Sequence, residues 1–325
     1  MHKPLSFARS VLVCTGLAGA AALAHAQAYP SKPVRIVVPF GAGGVGDVTA
    51  RIVAQRLSER LGQQFLVDNR PGAGGIVAAE MVAKAEPDGH TLFLISNGTA
   101  VSVSLFKSLP FDPVKDFEPV STIGFFALLI VTNADSKIDT VKELIEAAKA
   151  SAGKLNIGTI NIGSTQHLGA ELFKSLAGLN VTIVPYKGSP AVLTALRQND
   201  VQAVFEFIAP TMPHLKGRAV KAIAVTSDRR FEGLASIPTV IETGLANYNV
   251  TSWNGFAAPA GTSRAVVERL SKEIHAVVSM PDTKQKLLDL GIVARASTPG
   301  DLKRLLADEI AKWSGVVAKA NIEKQ

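Results

Sequence analysis

The chain has 325 residues, of which 47% are hydrophobic and 19% are charged, and its formal net charge is +7. This composition is typical of a globular protein and excludes a long disordered or low-complexity chain. Basic and acidic residues are interspersed, and no run of Lys or Arg exceeds two residues, which argues against a nucleic-acid-binding surface. The length suits one large domain or two medium ones.

The first 26 residues have the pattern of a cleavable secretory signal. Lys3 and Arg9 precede an apolar stretch at 11–23, and Ala24-His25-Ala26 supplies small residues at the two positions that a signal peptidase reads. The stretch is too short for a membrane span, so we expect export and cleavage after Ala26. Cys14 is the sole cysteine, and the mature chain can therefore form no disulfide.

Residues 34–96 alternate between strand and helix patterns. The β-branched runs predict strands at 34–40, 65–69 and 91–96, and the intervening segments predict helices at 47–62 and 74–86. Asp47 is the expected N-cap of the first helix, and Gly62 is its expected end. A β-α-β-α-β order predicts a parallel sheet with helices on its faces.

A similar unit follows in the second half of the chain. Its pattern predicts strands at 154–160, 181–186, 201–207 and 220–227, and helices at 164–178 and 189–198. Segments 126–133 and 249–259 are expected to be extended crossings between the two units. The remaining chain predicts helices near 263–279, 283–290 and 300–320, packed back on the first unit.

The expected fold is therefore α/β, with two lobes that each contain a mostly parallel sheet flanked by helices. Ligands of such sheets bind beyond the carboxyl ends of the strands. Two facing lobes would place two such edges around one cleft, and closure of that cleft would be a hinge motion.

The first candidate site is the loop after the first strand, where Gly41, Gly43 and Gly46 match the dinucleotide motif G-x-G-x-x-G. Asp68 stands near the position of a ribose-binding acid. However, an acidic Asp47 at the helix start would repel a pyrophosphate, and dinucleotides are scarce outside the cytoplasm. A carboxylate is the simpler anion for glycine amides at a helix N-terminus.

The loop at 161–167 occupies the equivalent position in the second unit. Gly163, Ser164 and Thr165 offer donors at a helix start, although Ser164 or Thr165 could equally be a simple N-cap. His167 follows one turn later as a ligand or a structural residue. The strand-to-helix stretch at 184–190 offers Tyr186 and Lys187 to the cleft, and the stretch at 96–100 after the third strand offers Asn97 and Thr99.

Signals for catalysis are weak. The sequence has neither G-x-S-x-G nor H-E-x-x-H, and the histidines are scattered. His167 and Glu171 are spaced i, i+4 on one helix, which is more typical of a surface pair than of metal ligands. Ser164 and His167 could form a dyad, but no acid is placed to orient the ring. We therefore expect no enzyme, no cofactor and no metal.

Several blocks in order along the mature chain resemble the Bug family. They include "RIVVPFGAGGVGDVTARI", "AKAEPDGHTL", "LPFDPVKDFEPVS", "HLGAELFK", "VPYKG", "IPTVIETG" and "WNGFAAPAGT". The family comprises periplasmic solute receptors of tripartite tricarboxylate transporters. The resemblance implies a type II periplasmic-binding-protein fold that closes like a Venus flytrap, with lobe 1 at 27–127 plus 253–325 and lobe 2 at 128–252.

The resemblance also implies a binding site for a small carboxylate or amide, held by backbone amides, hydroxyls and water. The residues carried over by motif are Phe40, Gly41, Ala42, Gly44, Gly163, Ser164, Thr165, His167, Tyr186, Lys187 and Gly188, with Asp47 holding the first loop in shape. The chain departs from the family at Ala42, where Pro is frequent, and at Val45-Gly46, where Gly-Thr is frequent. Glu206 replaces a frequent Asp and would intrude on the pocket floor.

The sequence thus predicts a monomeric periplasmic receptor that binds a small organic acid and delivers it to membrane permease subunits. Two alternatives remain at this stage. The receptor could present its ligand to a sensor kinase instead of a permease. Alternatively, the chain could be an exported hydrolase that uses Ser164, His167 or Glu206.

Overall fold

A computed structural model describes residues 29–325, so the predicted signal at 1–26 lies outside the described residues. The strands are β1 (Val34–Val38), β2 (Phe65–Asn69), β3 (Thr91–Ser96), β4 (Phe117–Asn133), β5 (Asn156–Ile160), β6 (Thr182–Tyr186), β7 (Ala203–Phe207), β8 (Val220–Val225), β9 (Thr251–Pro259) and β10 (Ile292–Val293). The helices are α1 (Val45–Leu61), α2 (Ile76–Ala83), α3 (Asn97–Leu105), α4 (Val141–Ala150), α5 (Thr165–Leu176), α6 (Ser189–Arg197), α7 (Ile208–Lys216), α8 (Arg264–Val278), α9 (Pro281–Asp289) and α10 (Pro299–Lys319). Within this range, no helix combines the length and the apolar character that a membrane crossing needs.

The strands form a curled mixed sheet in the order β2-β1-β3-β9-β4-β7-β5-β6, and β8 and β10 also pair with β4. β1, β2 and β3 are mutually parallel in one half, and β5, β6 and β7 are parallel in the other. β9 and β4 join the halves with antiparallel pairings. The predicted α/β fold with two lobes is confirmed, and the parallel character is limited to three strands in each lobe.

β4 is the element that links the two halves of the sheet. It pairs with β9 as far as Ala127, and it pairs with β7 from Leu128 onward. A single 17-residue strand therefore passes from one half to the other without a loop. The predicted lobe boundaries at 127/128 and 252/253 remain a prediction.

Three large apolar clusters hold these layers together. One lies under β1 and α1, a second lies under β7 and α6, and a third spans both halves. The residues that join the halves in the third cluster include Phe93, Phe173, Phe205, Tyr248 and Trp313. α10 packs on α3 in the first lobe and also reaches α5 in the second. The C-terminal helix therefore connects the two lobes through α3 and α5. The carboxyl ends of the parallel strands border a cavity.

The sequence patterns missed helices α3, α4 and α7 and the first part of β4. Most of α3 is buried, so it has no polar face that would reveal its period. α7 carries Pro213 inside it, and an internal proline is unfavourable in a helix. β4 contains Pro119 and Gly124, and its pairing with β9 is irregular near both residues.

Candidate ligand-binding cavity

A cavity of about 780 Å³ lies where the carboxyl ends of the parallel strands in the two lobes meet. It is bordered by the N-terminal ends of α1, α3, α5, α6 and α7 together with parts of β4 and β9. The lining residues are Phe40, Gly41, Ala42, Gly43, Gly44, Val45, Gly46, Ser96, Asn97, Gly98, Val101, Phe126, Ile160, Gly163, Ser164, Thr165, Gln166, Ser189, Phe207, Ala209, Pro210, Ser252 and Asn254. A volume of this size is typical of small-molecule sites.

The start of α1 differs from the sequence prediction. α1 begins at Val45 with Gly44 as its N-cap, so the expected cap at Asp47 is wrong. Glycine has no side chain to accept from the first-turn amides, and no side-chain cap bond is present. The amides at the start of α1 therefore remain available to a ligand in the cavity.

Asp47 lies beneath the loop rather than in the cavity wall. Its carboxylate accepts from the Gly43 amide at 2.8 Å, from Asn69 at 2.8 Å and from Arg51 at 3.0 Å. Asn69 also donates to the Phe40 carbonyl at 3.0 Å. Burial alone would raise the pKa of Asp47, but these hydrogen bonds outweigh it and hold the pKa below its usual value. The carboxylate stays ionised and fixes the loop.

The loop before α5 repeats this design. Gly43 and Gly163 both have a φ of 80°, a conformation that favours glycine, and each directly precedes the N-cap of its helix. Asp47 and His167 occupy the same third helical position, and each accepts from the glycine amide four residues earlier. The His167 contact is long, at 3.5 Å. The two helix starts are therefore equivalent in geometry, as the sequence predicts.

His167 is buried and does not line the cavity. Burial lowers its pKa to about 4, so the ring is neutral at physiological pH. A neutral ring suits the acceptor role of Nδ1 toward Gly163. The ring shapes the loop from behind, in the same way as Asp47.

Ser164 and Thr165 differ in what they offer to a ligand. The Ser164 hydroxyl caps α5 by accepting from the His167 amide at 3.1 Å, and it donates to the Ile160 carbonyl at 2.8 Å. It has no hydrogen bond to the His167 ring, so the dyad considered for a hydrolase does not form. The Thr165 hydroxyl accepts from Asn97 at 2.9 Å and retains its own hydrogen for donation.

Asn97 connects three helices at the edge of the cavity. Its Nδ2 donates to Thr165 on α5, and its Oδ1 accepts from Trp313 Nε1 on α10 at 2.6 Å. Asn97 is itself the first residue of α3, which the sequence reading treated as a loop. Thr99 lies two residues further along α3 and accepts from the Ser96 amide at 3.3 Å, and it does not line the cavity.

Asn254 is one of the polar cavity residues that sequence reasoning missed, together with Ser96, Gln166, Ser189 and Ser252. Asn254 lies on β9 directly opposite Ser96 on β3, and only 2% of it is exposed. Its Nδ2 has no hydrogen-bond partner among the described residues, and a Cβ on Gly46 would lie 3.2 Å from it. A buried donor without a partner is costly, so this amide beside the start of α1 is suited to a ligand acceptor.

Glu206 lies behind the cavity wall on β7 and is fully buried. Its Oε1 accepts from Gln166 Nε2 and from the Phe207 amide, both at 2.8 Å, while Oε2 has no partner among the described residues. Burial raises the pKa of Glu206 despite these donors. Glu206 therefore meets the cavity only through Gln166, and its effect on the pocket floor remains a prediction.

The remaining predicted site residues border the cavity less closely. Gly188 is the N-cap of α6, and Ser189 after it is the residue that lines the cavity. Tyr186 packs against the apolar cluster of the second lobe, and Lys187 is exposed. Their role in binding remains a prediction.

A second cavity of about 700 Å³ lies on the opposite face of β4 and β9. Phe125 and Ala127 line it, whereas Phe126 between them lines the first cavity, as strand alternation requires. Its charged lining residues have both signs, and they are Asp228, Arg229, Arg230, Glu232, Lys284, Arg295, Glu309 and Lys312. The helix N-termini and the unpartnered amide favour the first cavity as the ligand site. Within residues 29–325, no three His, Cys, Asp or Glu side chains form a candidate metal cluster.

The two lobes, the cleft between them and the helix starts that border it define a solute-binding protein of the periplasmic type. The profile of the tripartite tricarboxylate transporter family receptors matches residues 49–322, and the chain belongs to this family. The resemblance to the Bug proteins is thereby confirmed. Members of the family are periplasmic solute-binding receptors rather than enzymes, which also settles the hydrolase alternative.

Three solved structures illustrate the similarity. The chain is 34% identical to Rpa4515 of Rhodopseudomonas palustris, solved with adipate, at a TM-score of 0.79, covering 91% of this chain and 100% of that one. It is 32% identical to the periplasmic binding protein BugD at a TM-score of 0.76, with 91% and 100% covered. It is 31% identical to MatC of Rhodopseudomonas palustris, solved with malate, at a TM-score of 0.74, with 89% and 100% covered.

Proposed function

We propose that the protein captures a small organic anion in the cleft and delivers it to the membrane permease subunits of a tripartite transporter. The observation that carries this proposal is the uncapped start of α1 beside the unpartnered amide of Asn254. The start of α1 and Asn254 both line a cavity whose described lining residues include no charged side chain. A carboxylate supplies the acceptors that these donors lack.

The related proteins support a carboxylate ligand. Rpa4515 was solved with adipate and MatC with malate, and the two ligands share carboxylate groups on carbon skeletons of different length. A micromolar site requires about −8 kcal/mol. Hydrogen bonds to a charged group contribute roughly 1.5–3 kcal/mol each, so a few donors at the helix starts suffice after the cost of association.

The binding step is tested by thermal unfolding of the mature protein with a panel of mono-, di- and tricarboxylates and their amides. A ligand at 100 times its dissociation constant stabilises the folded protein by about 2.7 kcal/mol. Neutral amides of the same acids serve as matched controls. If no carboxylate stabilises the protein, anion capture is wrong.

The delivery step needs a separate experiment, because a sensor that presents its ligand to a kinase would use the same cavity. The decisive measurement is uptake of a labelled ligand into vesicles that contain the permease subunits, with and without this protein. Uptake that depends on the protein supports transport. Ligand-dependent phosphorylation of a membrane kinase without uptake would support the sensory alternative.

The proposed site of action is the periplasm, reached by export and cleavage after Ala26. Mass spectrometry of the protein recovered from the periplasmic fraction tests this directly, with Gln27 as the expected first residue. Light scattering on the same material tests the predicted monomer. Recovery of the full-length chain in the membrane fraction would contradict the proposed cleavage.

A further inference from the structure

Trp313 on α10 is a buried side chain whose hydrogen bonds lead to the cavity wall. The residue is fully buried and does not line the cavity itself. Its Nε1 lies 2.6 Å from Asn97 Oδ1 and 2.6 Å from Glu309 Oε2, so one N–H is shared between two acceptors. An indole nitrogen can only donate, and the direction of both bonds is therefore fixed.

The indole in turn fixes the orientation of the Asn97 amide. Asn97 is fully buried, and its amide has one accepting end and one donating end. If this amide were turned over, its Nδ2 would oppose the N–H of Trp313, and two buried donors would be left without acceptors, which is costly. The amide instead accepts from Trp313 and directs Nδ2 to the Thr165 hydroxyl at 2.9 Å.

The Thr165 hydroxyl is the last group in this series of bonds. It accepts from Asn97, and its own hydrogen has no acceptor among the described residues. Thr165 lines the cavity, so a bound ligand can take this hydrogen. Asn97 directly follows Ser96, which is paired with Asn254 across β3 and β9. The series therefore ends in the part of the cavity that also contains the unpartnered Asn254 amide.

The direction of the series determines what the hydroxyl offers to a ligand. Trp313 donates to Asn97, Asn97 donates to Thr165, and Thr165 is left with a hydrogen to donate into the cavity. A carboxylate oxygen accepts such a hydrogen, whereas the nitrogen of an amide is itself a donor. Hydrogen bonds in series polarise one another, so a charged acceptor at the end also strengthens the bonds behind it.

From this geometry we infer that Trp313 is a positioning residue for ligand binding. Through the Asn97 amide, it makes the Thr165 hydroxyl a donor toward the cavity and thereby favours a carboxylate over the corresponding amide. It acts from α10, outside the cavity, without touching the ligand. This inference rests on the proposed function, because it assigns to the same site a residue that tunes its preference for an acid.

Titration calorimetry of the mature protein with adipate, malate and benzoate, each beside the corresponding amide, tests the inference. Trp313→Phe removes the indole N–H and keeps an aromatic ring. The Asn97 amide is then free to turn, and the Thr165 hydroxyl can donate to its oxygen instead of to the ligand. We expect the ratio of acid affinity to amide affinity to fall about tenfold, because one hydrogen bond to a charged group is lost.

A double-mutant cycle with Thr165→Val separates this role from a general structural one. In the Thr165→Val background the hydroxyl is already absent, so adding Trp313→Phe should change the acid affinity by less than about twofold. Trp253→Phe is the matched control. Trp253 is also fully buried and outside the cavity lining, but its Nε1 has no hydrogen-bond partner among the described residues. This control should keep the wild-type ratio of acid to amide affinity.

The outcomes separate the inference from the proposed function. An unchanged ratio in a folded Trp313→Phe variant, or an equal loss of acid affinity with and without Thr165→Val, would overturn the role of Trp313 and leave carboxylate capture intact. If neither these acids nor the wider carboxylate panel bind the wild type, the proposed function itself is wrong.

A spectroscopic measurement keeps the test open if Trp313→Phe does not fold. The chain has two tryptophans, so Trp253→Phe leaves the Trp313 indole proton as the single indole signal in a nitrogen-15 correlation spectrum. Saturation with the bound acid should move this signal downfield, and adding Thr165→Val should abolish the movement. A signal that does not move, or that moves equally without the hydroxyl, would overturn the inference.

Discussion

At the scale of single residues, Asn254 is notable because its buried Nδ2 has no hydrogen-bond partner among the described residues. Replacing it with Ala removes one hydrogen bond to a charged ligand, which costs roughly 1.5–3 kcal/mol, or about a ten- to hundredfold loss of affinity. The free energy of unfolding without ligand should change little, since no protein bond from Nδ2 is lost. Titration calorimetry and chemical denaturation measure the two quantities.

The variant Asn254→Asp sharpens this prediction. The side chains have nearly the same shape, but an acid beside the start of α1 competes with the ligand carboxylate for the same donors. Its affinity should therefore be lower than that of Asn254→Ala. If both variants bind as the wild type does, Asn254 does not contact the ligand.

The lowered pKa of His167 leads to a prediction for how the free energy of unfolding depends on pH. Its pKa in the folded protein is about 4, below the ordinary value of 6.5, so the unfolded chain binds a proton more readily between these values. The contribution of the neutral His167 ring to the free energy of unfolding is complete above pH 6.5. It is lost as the pH falls toward 4, by about 3 kcal/mol in total.

Chemical denaturation from pH 4 to 8 tests this sign. The variant His167→Gln should lose the part of the pH dependence that lies between pH 6.5 and 4, relative to the wild type. His275→Gln changes an exposed histidine on α8 and serves as the matched control. If the free energy of unfolding changes equally with pH in the wild type and in His167→Gln, the buried ring does not titrate between pH 4 and 6.5.

At the scale of single elements, the proposed site depends on the starts of α1 and α5. A Cβ on Gly46 would lie 2.6 Å and 2.9 Å from atoms of the Phe40 ring, at the mouth of the cavity. Gly46→Ala should therefore displace that ring and hinder approach to the α1 amides, with at least a tenfold loss of affinity. Because the ring is a partly exposed side chain that can move, we expect the unfolding free energy to stay within about 1 kcal/mol.

Gly315→Ala is the matched control for this substitution. Gly315 lies on an exposed position of α10, and a Cβ there would meet nothing within 4 Å. An alanine inside a helix should raise stability by roughly 0.5–1 kcal/mol and leave affinity unchanged. If both variants bind normally, the close approach at Gly46 is irrelevant to the ligand.

The predictability of these elements from sequence depends on whether their signal is local. β2 and β3 have the predicted bounds, since each is a short apolar run between turn residues. The αL glycine at the end of α1 was likewise predicted, at Gly62. The N-cap of α1 was predicted wrongly. Asp47 resembles a cap in sequence, but it lies at the third helical position, where its carboxylate accepts from the Gly43 amide.

At the scale of the whole molecule, the site depends on pairings that no local pattern encodes. Asn254 reaches the cavity because β9 runs antiparallel to β3 and places it opposite Ser96, which is far away in sequence. The resemblance to a family predicted the two loops and the fold, but it gave no reason to select a residue in the crossing strand. The contact between Phe126 and Phe207 in the cavity wall has the same origin, since the pairing of β4 with β7 brings the two rings together.

The bond between Asn97 and Thr165 leads to a prediction for the whole molecule, because it joins the helix after β3 in one lobe to the helix after β5 in the other. Asn97→Ala removes this connection, while Trp313 Nε1 retains Glu309 as an acceptor at 2.6 Å. We therefore expect the ligand-free variant to populate a more open cleft. Small-angle scattering should report a larger radius of gyration than for the wild type, and a bound carboxylate should reduce the difference.

Ser104→Ala provides the control for this experiment. Its hydroxyl bonds to Ser314 at 2.6 Å between α3 and α10, so the variant loses a hydrogen bond that does not connect α3 to α5. Its radius of gyration without ligand should equal that of the wild type, even though some stability is lost. An equal radius for Asn97→Ala would mean that the apolar cluster shared by the two lobes, rather than this bond, determines how far the cleft opens.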